Sequence, residues 1–284
     1  MAVTTQAIAT TLVRGGMRAL GTVAPPLAAQ VAHRIWGDLG RPLPVHSRDV
    51  DMHARAVRGE LLVDGKRVVT YTWGSGPEVV LLVHGWRSRA SRFSSLVRAL
   101  ESPGRTIVSF DAPGNGDSTG TATTILDYSE IIRRLSPPRG FVAIVAHSFG
   151  VLATFLAARE GVPVGRIVGI AGMYDANQLV DQFSRQAALS SRVKRGLRTR
   201  IERRTFPGEP DVWRRFVAEL DPADIHTPLL LVHDRGDRMV DASQAGLIAE
   251  AHNGPTRVIL TDGLGHNGVL RDANVLDDIR GFLR

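Results

Sequence analysis

The chain has 284 residues, 43% of them hydrophobic and 22% charged, which excludes a disordered chain and supplies the apolar mass for a real core. It contains no cysteine, which excludes a disulfide scaffold, a thiolate zinc site and a cysteine nucleophile. The net charge of +7 and a pI near 10.7 invite a nucleic-acid reading, but the location of the charge weakens it. Residues 185–215 hold ten basic side chains (from Arg185 and Arg192 to Arg214 and Arg215) against three acidic ones. The other 253 residues carry 25 of each sign, so the whole excess belongs to one segment.

No run of 18 apolar residues exists, so a spanning helix is not expected. The start of the chain lacks a basic stretch followed by a clean apolar run and a cleavage site, and a cytoplasmic location is the expectation. Residues 1–54 read as an N-terminal helical extension. Within it Leu27, Val31, Ile35 and Leu39 recur every four residues beside Trp36. That stripe predicts an amphipathic helix packed on the main body, with a membrane-surface helix as the alternative.

From residue 57 short β-branched runs alternate with helical stretches. Strands are expected over 57–63, 67–73, 78–83, 105–110, 140–146, 164–170, 228–233 and 256–261. Helices are expected over 91–100, 123–135, 149–160, 241–252 and 268–283. Several strands are apolar throughout, as in Val79-Val80-Leu81-Leu82-Val83, which suits a parallel sheet covered on both faces. Strand–helix alternation points to an open α/β sheet, with Asp64-Gly65 closing an edge hairpin. Residues 55–173 and 227–284 form this core. The alternation stops over 174–226, which reads as a basic, mostly helical insertion punctuated by Pro207, Pro210 and Pro222.

Catalytic groups of open α/β sheets collect at the carboxyl ends of the strands. After 140–146 comes Ala146-His147-Ser148-Phe149-Gly150 and then a helix, the context of a nucleophile elbow. The tight turn needs small residues two positions either side of Ser148, which Ala146 and Gly150 provide. The bland alternative is a helix whose N-cap happens to be serine. After 78–83 comes His84-Gly85-Trp86, where the backbone N–H of Trp86 joins that of Phe149 as a candidate oxyanion hole. His84 itself reads as a structural histidine bonding the loop. Asp111–Ser118 contains Gly114 and Gly116 but lacks the spacing and the Lys-Ser/Thr of a phosphate loop. Asp234 and Asp237 follow 228–233, and His266 follows 256–261. Serine, acid and histidine therefore stand at three strand ends in the order Ser148, Asp237, His266.

On the stretches LLVHGW (81–86), DAPGNGDS (111–118), AHSFG (146–150), LLVHDRGD (230–237) and GLGHN (263–267), the chain resembles the α/β-hydrolase superfamily over about residues 55–284. It looks most like its bacterial serine hydrolases of the esterase, lipase and serine-aminopeptidase-like group. The resemblance implies a mostly parallel eight-stranded sheet flanked by helices, with 174–226 as a helical cap or lid. It departs from the family at Ala146, for the first elbow glycine, and at Asp234, where glycine is frequent.

The resemblance favours Asp237 as the triad acid, at the family's usual distance beyond the strand. Asp234 and, as in some relatives, Asp175 are the alternatives. The implied chemistry is acyl transfer to water: Ser148 as nucleophile, His266 as base, Asp237 as its orienting acid, Trp86 and Phe149 as oxyanion donors, and an acyl compound as substrate. No metal or organic cofactor is expected. A thioesterase or acyltransferase with the same triad, and a non-catalytic binding protein on the same scaffold, are the other readings. The basic segment 185–215 reads as a solvated lid, as a contact for anionic substrate or a membrane surface, or, ranked last, as a nucleic-acid site.

Overall fold

Eight strands form one sheet in the computed structural model, which describes residues 14–209, 211–218 and 226–284. They are β1 (Val57–Val63), β2 (Lys66–Gly74), β3 (Glu78–Val83), β4 (Arg105–Asp111), β5 (Ala143–His147), β6 (Ile167–Ile170), β7 (Leu229–Asp234) and β8 (Thr256–Thr261). Their spatial order is β1-β2-β4-β3-β5-β6-β7-β8. β1 pairs antiparallel with β2, and β2 with β4; every later pairing is parallel. The hairpin turns at Asp64-Gly65, both at positive φ, as an Asp-Gly turn requires. β5, β6 and β7 are buried along their whole length, which is why their sequences read as unbroken apolar runs. The expected strands at 140–146 and 164–170 begin about three residues later than the sequence suggested. Phe141 and Val164 meet only in an isolated bridge.

The helices are α1 (14–23), α2 (Pro25–Gly37), α3 (Val50–Ala54), α4 (Ser94–Leu100), α5 (Ile125–Leu135), α6 (Phe149–Arg159), α7 (Asn177–Gln186), α8 (Ser191–Arg200), α9 (Val212–Arg215), α10 (Ser243–Ala251), α11 (Gly265–Gly268) and α12 (Ala273–Phe282). By internal contacts the chain divides into two units, Met1–Asp38 with Ala176–Arg215, and Leu39–Asp175 with Phe216–Arg284. Residues 1–13, 210 and 219–225, including the start of the N-terminal extension and Pro210 and Pro222, lie outside the described residues.

The larger unit holds the sheet. On one face Val80, Leu82, Val145, Val168 and Val232 share a core with Phe93, Leu96 and Leu100 of the α4 segment and Val275 and Ile279 of α12. The alternate residues Leu81, Val83 and Ile144 are equally buried, with α5 and α6 packed together and α6 against β3 and β5. One buried carboxyl ties the loops at the strand ends together. Asp111, at the end of β4, accepts from the Ala90 and Asp117 N–H groups and from the Tyr71 hydroxyl, each at 2.8 Å. The Arg89 guanidinium lies 3.5 Å away. The segment 111–118, a polar loop by sequence, is thus clamped to β2, β4 and the 86–90 loop.

In the smaller unit, α2 packs on α8. Its buried residues are Ala28, Ala29 and Ala32, whereas Leu27 and Ile35 of the expected stripe are exposed (49% and 36%). Within α2 the stripe read from the sequence is therefore not the packing face, although Leu39, just beyond the helix, is buried. The reason is close approach: a Cβ on Gly196 of α8 would stand 2.8 Å from the Ala29 Cβ. Only small residues fit where the two helix backbones come this near, so the bulky aliphatics are turned outward.

Asp111→Ala would leave the Ala90 and Asp117 N–H groups without their acceptor and would remove one of the two carboxyl partners of Tyr71 and of Arg89, which keep only Asp117. We expect a loss of roughly 3–5 kcal/mol of unfolding free energy. Urea denaturation measures it; a loss below about 1 kcal/mol would show that the loops are held by something else.

Candidate active site

Ser148 is the single residue between β5 and α6. Its backbone lies at φ 54°, ψ −120°, a region that costs a side-chain-bearing residue about 1–3 kcal/mol. Neighbouring bonds hold it there: its N–H donates to the Ile170 carbonyl at 2.9 Å, and its own carbonyl accepts from the Val151 N–H at 3.0 Å. Gly150 makes the turn possible, because a Cβ there would fall 2.5 Å from the Val83 carbonyl oxygen. Ala146, the other flanking position, is fully buried within β5 with its methyl accommodated.

The Ser148 side chain makes no hydrogen bond to its own helix, so it does not act as an N-cap. Its Oγ instead lies 3.1 Å from His266 Nε2. His266 Nδ1 lies 2.7 Å from Asp237 Oδ2. Because the carboxylate can only accept, Nδ1 carries the proton and Nε2 is free to accept from the serine hydroxyl. Residues 118 and 29 positions apart in sequence thus form one hydrogen-bonded line.

Two carboxyl groups sit on the turn after β7, and they do different things. The Asp237 side chain is fully buried; Oδ1 accepts from the N–H groups of Met239 and Val240 at 2.7 and 3.0 Å. Burial opposes its charge, but the bonds from His233, His266 and the Val240 N–H outweigh that cost and hold its pKa well below the usual carboxylate range. Asp234 faces the other way. It accepts from the Gly236 and Leu264 N–H groups and the Thr261 hydroxyl, each at 2.9 Å, and so pins the loop that carries His266. Asp175 sits at an isolated bridge to Val217. Of the three candidate acids, the structure brings Asp237 to the histidine.

Trp86 and Phe149 are also brought together, their rings edge-to-face at 5.2 Å. The 84–86 loop presses on the elbow: a Cβ on Gly85 would stand 3.0 Å from the Ser148 Cβ. Phe149 opens α6, where the first N–H groups of a helix have no partner within it and face developing negative charge. His84 braces this loop. Its Nε2 accepts from the Ala112 N–H at 3.0 Å, and Nδ1–H donates to the Gly85 carbonyl at 2.7 Å. A pocket of about 470 Å³ opens beside His266, walled by Arg238, Met239, Leu264 and Gly265, with Ser148 outside its wall.

Sequence reasoning passed over two histidines that support the line. His147 Nε2–H donates to the His266 carbonyl at 2.9 Å, with the two rings 4.7 Å apart. Burial, then the proximity of His266, lowers its pKa to about 3, so it stays neutral. His233 Nε2–H donates to the Val240 carbonyl at 3.0 Å and lies 3.4 Å from Asp237 Oδ2. The available signal was position: each is a histidine at the carboxyl end of a buried strand.

A family model described as the alpha/beta hydrolase family matches residues 80–278, more than half of the chain. No curated protein matches it in sequence. Similar solved structures include the mouse alpha/beta hydrolase domain-containing protein 10, with TM-score 0.60 and 18% identity, over 80% of this chain and 97% of that one. An esterase from Pyrococcus furiosus has TM-score 0.60 and 16% identity over 86% and 96%. A thioesterase domain from the curacin biosynthetic pathway has TM-score 0.58 and 19% identity over 80% and 99%. At these identities the likeness is one of fold.

Two buried histidines with lowered pKa values, His147 and His84, contribute to the acid response of stability. Unfolded, each binds a proton near 6.5; folded, His147 does so only near 3. The unfolded chain therefore gains protons first as pH falls, and stability drops from about pH 6.5 downward. His147→Gln, which keeps an N–H donor without a titrating ring, is expected to flatten the slope between pH 6 and 4 by up to about 1.4 kcal/mol per pH unit. Urea midpoints against pH check this; an unchanged slope would show that His147 is not kept neutral.

Proposed function

We propose that this chain, which belongs to the alpha/beta hydrolase family, is a serine hydrolase that cleaves a carboxylic ester through an acyl-enzyme intermediate. The observation that carries the reading is the continuous line Ser148 Oγ, His266 Nε2, His266 Nδ1, Asp237 Oδ2. His266 takes the proton of Ser148 as Oγ attacks the acyl carbon. Asp237, ionised at neutral pH, keeps the proton on Nδ1 and offsets the charge of the imidazolium. The N–H groups of Trp86 and Phe149 receive the tetrahedral oxyanion; one such donor is worth about 3–4 kcal/mol of barrier. His266 then gives its proton to the departing alkoxide. In the second half it deprotonates a water, which attacks the acyl-serine, and it returns that proton to Ser148 Oγ as the ester bond breaks and the acid leaves. No step draws on a cofactor.

Support for a hydrolase comes from the family match. Preference for an oxygen ester over a thioester depends on the acyl pocket and is decided by turnover. No described helix is long and apolar enough to cross a membrane, and a cytoplasmic location is part of this proposal.

A fluorophosphonate probe is expected to label the wild type and to leave Ser148→Ala unlabelled. Paired ester and thioester substrates of increasing chain length, scored by kcat/KM, assign the acyl class. Asp237→Asn should lower kcat about 10⁴-fold, since it upsets the His266 tautomer, with circular dichroism verifying that the variant is folded. If Ser148→Ala hydrolyses esters as wild type does, the assignment fails.

A further inference from the structure

The smaller unit contains a second pocket, of about 410 Å³, whose wall includes Pro26, Ala29, Arg192, Arg200, Arg203 and Arg204. Four arginines line it and no acidic residue does. Their grouping follows from helix geometry. Arg192 and Arg200 lie two turns apart on α8, and Arg203 and Arg204 follow on the π-helical turn Ile201–Thr205, one of the irregularities that often mark functional positions.

Several basic residues of this segment are engaged away from the pocket. Lys194 pairs with Asp181 at 2.6 Å, Arg215 with Glu209, and Arg198 stacks 4.0 Å over the Trp213 ring while donating to Asn177. Glu202 is engaged by the Trp213 indole N–H. These contacts engage Asp181, Glu202 and Glu209. Arg192, Arg200, Arg203 and Arg204 have no acidic partner within ion-pair distance among the described residues. Concentrating four like charges around one cavity is unfavourable by itself, and the nearby acids are placed elsewhere. Their field reaches His33, on α2, whose pKa is lowered by burial and then by Arg200 and Arg204.

We infer that this pocket is an anion site for a phosphoryl group, as a phosphate ester of a small molecule or of a lipid headgroup. A single carboxylate would offset one of the four charges. A phosphomonoester brings close to two negative charges and three strong acceptor oxygens, which match the planar fork of arginine. Thr199 adds a hydroxyl to the same wall. The pocket has room for the phosphoryl group and for what is esterified to it. The inference is separate from the catalytic one, since it concerns binding in the smaller unit and is measured without turnover.

The test uses the full chain and two probes at low ionic strength, with sodium chloride matching the ionic strength of each titration. Pyrophosphate is titrated calorimetrically, and flotation is scored with phosphatidic acid–phosphatidylcholine vesicles against phosphatidylcholine alone. Saturable binding is expected, weakened about tenfold or more in Arg200→Gln/Arg203→Gln and less in Arg200→Lys/Arg203→Lys, which keeps the charge but loses the fork. The control Arg41→Gln/Arg98→Gln, with equal loss of charge, should stay within about twofold, and circular dichroism verifies that each variant is folded. Vesicle binding displaced by pyrophosphate identifies the headgroup source; pyrophosphate binding without flotation identifies a soluble ester. Absence of saturable binding to either probe, or an equal loss in the control pair, overturns the site.

Discussion

Ser148 occupies a backbone conformation that a serine does not choose, and the candidate site is arranged by what holds it there. β5 lies inside the sheet, paired on both sides by β3 and β6, so the strand cannot shift to relieve the turn. α6 follows at once, and Gly150 lets it begin against the backbone of β3. The strain of about 1–3 kcal/mol is small beside the burial of two whole elements. In return the hydroxyl projects from the turn toward His266 rather than back onto its own helix.

Around that turn, polar groups that would be costly to bury are each given a partner. His84, His147 and His233 are buried histidines at strand ends, and each is satisfied by the backbone of a neighbouring loop. Asp234 and Asp237 show how little separates support from chemistry. Three residues apart on one turn, the first collects donors from the loop beyond β8 and the second meets the imidazole. Changing either would disturb the same histidine by a different route. The first alters where His266 is carried, and the second alters what its Nδ1 donates to.

Much of this was legible in the sequence. The apolar runs and the Asp-Gly turn located the strands, because buried parallel strands and tight hairpins have strong local signatures. Ser148, Asp237 and His266 stood out because each follows a strand. The supporting histidines were harder to see. His147 and His233 serve through contacts to residues 119 and 7 positions away, and no local pattern encodes such a partner. The face of α2 was misread for a different reason. Periodicity finds the bulkiest stripe, whereas here the packing face is the alanine stripe that permits close approach to Gly196. Which elements Asp111 would clamp was likewise invisible, since Ala90 reaches it from the connection after β3 and Tyr71 from β2 itself.

The order of strands carries a consequence for time as well as for space. β8 is the outermost strand on its side of the sheet and pairs with β7 alone, yet the loop beyond it delivers His266. Ser148 stands on a central strand, 118 residues earlier in the chain. On the proposed mechanism, a chain with every strand but the last in place would be folded to most spectroscopic probes and chemically silent. Recovery of turnover during refolding would then report the docking of β8, a clock for the final step of assembly that fluorescence of the buried Trp73, on the opposite wing of the sheet, would run ahead of.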